Sequence, residues 1–157
     1  MSKSIIIKKI GGPETLEMRD VVINSPGPQE IKIKNYAIGL NYIDTYHRSG
    51  LYPVKLPSGI GLEGAGVVLE VGSKVKNFSK GDDIAYAAPP LGSYSEERNI
   101  PEDIAVKLPD GITHKTAASV MTKGLTTFYL LEKTYKVIAR ETILFHAAAE
   151  FTSNKVP

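Results

Sequence analysis

Glu30-Ile31-Lys32-Ile33-Lys34-Asn35 alternates polar and apolar side chains without a break. Neighbouring side chains of a strand point to opposite faces, so this stretch has one wet face and one buried face and belongs at the surface of an antiparallel sheet. The segments around it share that character. Ile5 to Ile10, Leu16 to Val22 and Ile31 to Leu40 are rich in β-branched residues, with Gly11-Gly12-Pro13 and Ser25-Pro26-Gly27-Pro28 as turns between them. Further strands are expected at Gly64 to Val71, Asp83 to Ala87, Gly92 to Ile100 and Ala105 to Leu108. The first hundred or so residues thus read as mainly β and barrel-like, with short helices.

After Pro109-Asp110-Gly111 the apolar rhythm lengthens to that of a helix. Thr113 is placed to cap a short helix through Ala118, and Thr122 a longer one to about Tyr135, each hydroxyl accepting a backbone donor that the helix start leaves free. Leu125, Phe128, Tyr129 and Leu131 would cover one broad face of the second helix. Beyond Arg140-Glu141-Thr142, the run Ile143-Leu144-Phe145-His146-Ala147-Ala148-Ala149 has the character of the first strand of a nucleotide-binding α/β domain. Glu150 to Pro157 has no useful periodicity and reads as a tail.

The chain has 157 residues, enough for one modest domain with its own core. With 42% apolar and 23% charged residues it has the composition of a folded globular chain. A net charge of +2, with the Lys and Arg residues scattered, argues against nucleic acid as a partner. No run approaches the roughly eighteen apolar residues of a membrane span. Met1 to Lys8 is too short and too soon charged for a signal peptide, so the expected compartment is the cytoplasm. The absence of cysteine excludes disulfides and thiolate zinc sites.

Three constellations can carry chemistry. Asn41-Tyr42-Ile43-Asp44-Thr45-Tyr46-His47-Arg48-Ser49-Gly50-Leu51-Tyr52-Pro53 gathers an amide, a carboxylate, phenols, an imidazole and a guanidinium. With Asn41 as the cap of a short helix, Asp44 sits in the first turn and Tyr42 and Tyr46 share a face. Such tyrosines suit a planar ring with a carbonyl oxygen, but they equally suit a capped surface turn anchored by its aromatics. His47 has no Cys or acidic partner at ligand spacing and reads as a surface or locally bonded histidine rather than a metal ligand. Gly59-Ile60-Gly61-Leu62-Glu63-Gly64-Ala65-Gly66 is glycine-rich, yet a β-branched run follows it, whereas a phosphate-cradling loop opens a helix. Glu63 reads as an internal hydrogen-bonding or ion-pair partner able to organise a site. Met121 to Tyr129 is either a plain helix start or a place where backbone donors meet a phosphate or carbonyl.

The chain resembles the zinc-free quinone oxidoreductases of the medium-chain dehydrogenase/reductase superfamily, the NADPH:quinone reductase and zeta-crystallin group. The resemblance runs from about Lys3 to Ala149. It rests on Gly11-Gly12-Pro13-Glu14, Gly39 to Tyr46, Arg48 to Pro53, Pro57 to Val68, Gly81-Asp82, Gly92 to Glu96, Lys123 to Thr126 and His146 to Ala149. It implies a GroES-like, partly open β-barrel whose N-terminal part occupies residues 1–120, a linking helix and first Rossmann strand over 121–149, and a tail over 150–157.

The implied activity passes reducing equivalents from NADPH to a quinone. Asn41, Tyr42, Ile43, Asp44, Thr45 and Tyr46 resemble nicotinamide-side contacts, Lys123, Thr126 and Tyr129 resemble further cofactor positions, and Tyr46 and Tyr52 resemble the quinone-pocket tyrosines. Zinc-dependent relatives place ligands where this chain has Leu62 and other non-ligands, so no metal is implied. Relatives continue from Ala149 into a glycine-rich turn, where this chain has Glu150-Phe151. The expectation is therefore a truncated catalytic domain without activity or tight NADPH binding of its own, prone to self-association, whose full-length homologues are homo-oligomers. The rival expectation is a non-catalytic interaction module with an enzyme-like barrel, its tyrosine-rich turn facing another protein.

Overall fold

The computed structural model describes residues 1–144. In chain order the elements are β1 (Ser2–Ile7), β2 (Glu17–Val21), β3 (Glu30–Gly39), α1 (Tyr42–Ser49), β4 (Ser58–Gly59), β5 (Glu63–Val71), β6 (Asp83–Ala87), β7 (Glu97–Pro101), β8 (Ala105–Lys107) and α2 (His114–Phe128). They form two antiparallel sheets, three strands in the order β2-β1-β4 and five in the order β7-β3-β5-β6-β8. An isolated bridge pairs Ser4 of β1 with Ser95, in the segment that leads into β7. The result is mainly β with short helices, an open rather than closed barrel.

The alternation around Ile31 is realised in space. Ile31 and Ile33 are fully buried while Lys34 is exposed, and β3 pairs on both sides, with β5 and with β7. It is therefore an interior strand whose wet face alone reaches solvent. Ile84 and Tyr86 of β6 point to the same core as Ile31, Ile33, Val68, Phe78 and Ile100. Ala85, between them, points to the opposite face, where with Ala65 it meets Ala117 and Ala118 of α2. Four alanines at that contact allow close approach of helix and sheet. The helix start is held by His114, stacked on Tyr36 with 5.2 Å between ring centroids and bonded through Nε2 to Asp83 at 2.8 Å.

Several boundaries correct the sequence reading. β1 is shifted towards the N-terminus from the expected Ile5 to Ile10, because its partner β2 begins at Glu17, opposite Ile6, and runs on to pair Val21 with Ser2. The expected strand Gly92 to Ile100 begins only at Glu97, since Gly92 takes a left-handed φ of 122° and donates to the Gly61 carbonyl. β4 was not foreseen; two residues are too few for a periodic signal. The two expected helices are one. Thr113 caps it, its hydroxyl accepting from the Thr116 N–H at 3.1 Å, but Thr122 is an interior residue and not a cap.

Helical conformation continues past α2 through a π-helical turn at Tyr129–Thr134. Leu125, Phe128 and Tyr129 are exposed rather than packed against the sheet. The 120/121 boundary expected between domains falls inside α2. Ile143 and Leu144 carry no strand pairing, and the rest of the expected α/β strand, Phe145 to Ala149, lies outside the described residues, as does the tail Glu150 to Pro157.

Ile84→Ala is expected to lower the unfolding free energy by about 2–5 kcal/mol, the range for emptying a tightly packed aliphatic site. Met18→Ala, on an exposed side chain, should stay within about 0.5 kcal/mol of the parent. Urea unfolding of both variants checks the contrast.

Candidate functional site

The centre of the site is a carboxylate with no access to solvent. Glu63 is 0% exposed, which is tolerable only if donors surround it. Asn41 Nδ2 donates to its Oε2 at 2.6 Å, and the backbone N–H of Thr122, in the interior of α2, donates to its Oε1 at 2.8 Å. The other end of the Asn41 amide is occupied as well, Oδ1 accepting from the Lys123 ammonium at 3.4 Å. Gly39 lies opposite Glu63 in the β3–β5 ladder, and a Cβ there would collide with Glu63 Oε2 and the Ala118 carbonyl oxygen. A recess of about 450 Å³ opens beside it between Gly39, Leu40, Ala118, Ser119 and Lys123.

The start of α1 is built as the sequence suggests. Asn41 holds the cap position and the Asp44 carboxylate returns to accept from its backbone N–H at 3.0 Å. The same oxygen accepts the Tyr94 hydroxyl at 2.9 Å. Asp44 is thereby buried inside the turn and does not face open space. Thr45 donates back to the Tyr42 carbonyl at 2.7 Å, and Ile43 is half-buried.

The tyrosines do come together. Tyr46 lies 5.3 Å from Tyr42 in an edge-to-face pair and 5.4 Å from Tyr52, and His47 lies 5.8 Å from Tyr52. Gly50, at a left-handed φ of 84°, turns the chain so that the Tyr52 N–H reaches the Tyr46 carbonyl. Tyr42 and Tyr52 remain 62% and 45% exposed, an aromatic surface open to a ligand. Of the expected cofactor-side residues on α2, only Lys123 reaches α1's start. Thr126 bonds back to the Thr122 carbonyl at 2.7 Å, and Tyr129 is exposed in the π-helical turn. Among the described residues no group of three or more His, Cys, Asp or Glu is placed to hold a metal.

Residues 27–110, more than half of the chain, match the alcohol dehydrogenase GroES-like domain family. The chain belongs to that family. Its relatives include quinone oxidoreductases, each matched over less than half of its length. It is 58% identical over 150 residues to a quinone oxidoreductase of Pseudomonas aeruginosa, covering 95% of this chain and 46% of that protein. Its structure superposes on quinone oxidoreductase of Pseudomonas syringae pv. Tomato with a TM-score of 0.93 at 55% identity, covering 95% of this chain and 46% of that one. The quinone oxidoreductase of Escherichia coli complexed with NADPH superposes with a TM-score of 0.85 at 48% identity, covering 86% and 42%. The chain spans about half the length of the relatives it matches.

Two residues of this GroES-like site escaped the sequence reading. Tyr94 reaches Asp44 from fifty positions away, and no local pattern announces it. Gly39 had a signal, since a glycine ending a strand marks close approach of another group. Burial, and then the bond to the Asp44 carboxylate, push the Tyr94 phenol well above its ordinary value of 10.0. The folded state holds this proton more tightly than the unfolded chain, so the stabilisation is whole below pH 10.0 and is lost as pH rises through the folded value. Tyr94→Phe is expected to cost about 1 kcal/mol near neutral pH and to weaken the alkaline loss, part of which remains through Tyr86, also raised by burial. Urea midpoints near neutral pH and at about pH 11 read both effects.

Proposed function

We propose that this GroES-like domain supplies the quinone pocket and the nicotinamide-side contacts of an NADPH-dependent quinone oxidoreductase. The observation that carries the reading is the half-exposed cluster Tyr42, Tyr46 and Tyr52, directly following the Asn41–Lys123 contact. Tyrosine rings offer a flat π-face to a quinone, and their hydroxyls offer donors to its carbonyl oxygens.

NADPH fits one end of this surface. The Lys123 ammonium, braced by the buried Asn41 amide, suits the polar edge of a nicotinamide, with Thr126 further along α2 and Tyr129 in the π-helical turn beyond it. The phosphate end finds no counterpart among the described residues: Gly59 to Gly66 runs into β5 instead of opening a helix. NADPH, when bound, supplies the reducing equivalents. The protein's own work is to hold the quinone ring against the tyrosines, keep it aligned, and let the Tyr46 or Tyr52 hydroxyl donate to the carbonyl oxygen that gains charge. No metal enters this account; Leu62 beside Glu63 offers no ligand.

The chain itself permits a direct test. With no cysteine to alkylate, it can be titrated with a fully substituted, water-soluble ubiquinone-type benzoquinone while its aromatic NMR signals are followed. Shifts should concentrate at Tyr42, Tyr46 and Tyr52 and spare the buried Tyr86. Tyr46→Phe or Tyr52→Phe should weaken binding about two- to tenfold, the loss of one ordinary hydrogen bond. Shifts that scatter or fail to appear would favour the interaction-module reading, and unchanged affinity in both variants would remove the phenols from the mechanism. A companion titration with NADPH, followed by the cofactor's fluorescence, should not saturate in the micromolar range.

A further inference from the structure

The geometry points to Glu63 as a positioning residue: its buried carboxylate sets the direction of the Asn41 side-chain amide and thereby holds the Lys123 ammonium at the nicotinamide side of the site. The functional part rests on the reading just proposed; the positioning itself does not.

A side-chain amide is a dipole with a donor end and an acceptor end. At Asn41 the donor end meets Glu63 Oε2 at 2.6 Å and the acceptor end meets Lys123 Nζ at 3.4 Å. The amide is thus threaded between an anion and a cation in the only orientation that satisfies both; turned over, it would present its NH2 group to the ammonium and its oxygen to the carboxylate. Bonds to charged groups are the stronger kind, and the short contact to Glu63 is the one that fixes the direction. Glu63 is itself immobilised. Its second oxygen accepts from the Thr122 N–H at 2.8 Å, and Gly39 leaves room for it and no more. The acceptor pattern also explains why a carboxylate is needed. Two donors from different elements converge on it, and a neutral amide in its place has one oxygen to offer to the two.

Glu63→Gln therefore leaves a mismatch. If the substituted oxygen takes the Thr122 N–H, its NH2 group faces the Asn41 NH2 group. Asn41 can relieve this only by turning over, which sets its NH2 group against Lys123. Asn41→Asp combined with Glu63→Gln removes the conflict with polarity reversed, because the new amide donates to a carboxylate at position 41 that also attracts Lys123. Aspartate remains a good helix cap there.

The experiment compares the 157-residue chain, Glu63→Gln and the double exchange. NMR relaxation of the Lys123 Cε–Hε group reads the order of the ammonium arm. A titration with reduced nicotinamide mononucleotide, followed at the Thr122 and Lys123 signals, reads the site. In Glu63→Gln the Lys123 arm should become as mobile as the exposed Lys115 arm, and the titration midpoint should rise about tenfold, the loss of one charge-assisted bond. The double exchange should restore the order of the Lys123 arm. A Lys123 arm that stays ordered in Glu63→Gln overturns the assignment. So does a double exchange that folds no better than the single variant or leaves the arm mobile. If the nucleotide shifts nothing in the parent chain, the proposed function fails while the relaxation series still decides the positioning.

Discussion

A carboxylate buried without charge neutralisation or donors would cost several kcal/mol, so the burial of Glu63 constrains everything that surrounds it. Its two donors come from the start of α1 and the middle of α2, while its backbone belongs to β5. Three segments remote in sequence must therefore arrive together for one side chain to be tolerated. The β3–β5 register takes part, since it sets Gly39 opposite Glu63 and leaves the space into which the carboxylate turns. A register slip of one residue would bring a side chain into that space and move the carboxylate to the other face of the sheet.

The same contact divides α2 into halves with different surroundings. Ahead of Thr122, Ala117 and Ala118 lie flat on Ala65 and Ala85, and the helix is packed. Beyond it, Leu125, Phe128 and Tyr129 are exposed and the helix passes into a π-helical turn. The Glu63–Thr122 bond is thus the last tie between the helix and the sheet side of the barrel that lies in the site. Lys123 is the next residue, and its direction follows from where that tie holds the backbone.

What sequence pattern could reach follows from the range of the forces involved. β6 matches the expected Asp83 to Ala87 to the residue, because alternation within a short strand is a local property. The aromatic cluster and the Asn41–Asp44 arrangement were legible for the same reason, as helix caps and one-turn spacings are short-range rules. Thr122 shows the limit. A hydroxyl ahead of an apolar run is the local signature of a cap, but the partner that decides its role is fifty-nine residues away. Gly92 to Tyr94 fails as a strand for a comparable reason, since the carbonyls of Ile60 and Gly61 claim the backbone N–H groups of that stretch. At Asp44 one carboxylate oxygen accepts from both the Asn41 N–H and the Tyr94 hydroxyl, the latter a partner from a distant loop that no local pattern announces.

These long-range partners also tie the two halves of the site into one unit. α1 carries Tyr42 and Tyr46 and α2 carries the lysine, and helices that merely neighboured each other would be free to shift independently. The Asn41 amide prevents this because its two ends belong to different electrostatic partners, an anion on the sheet and a cation on α2. A hydroxyl or an aliphatic residue at position 41 would fill the space and even cap or precede the helix, but it would transmit no direction from one helix to the other. The arrangement places a fixed polar contact at the root of α1 and leaves the exposed rings of Tyr42 and Tyr52, packed against Tyr46, at its surface. A held polar group beside an open aromatic face restricts how a planar ring can lie there, and restricted orientation is what positioning requires.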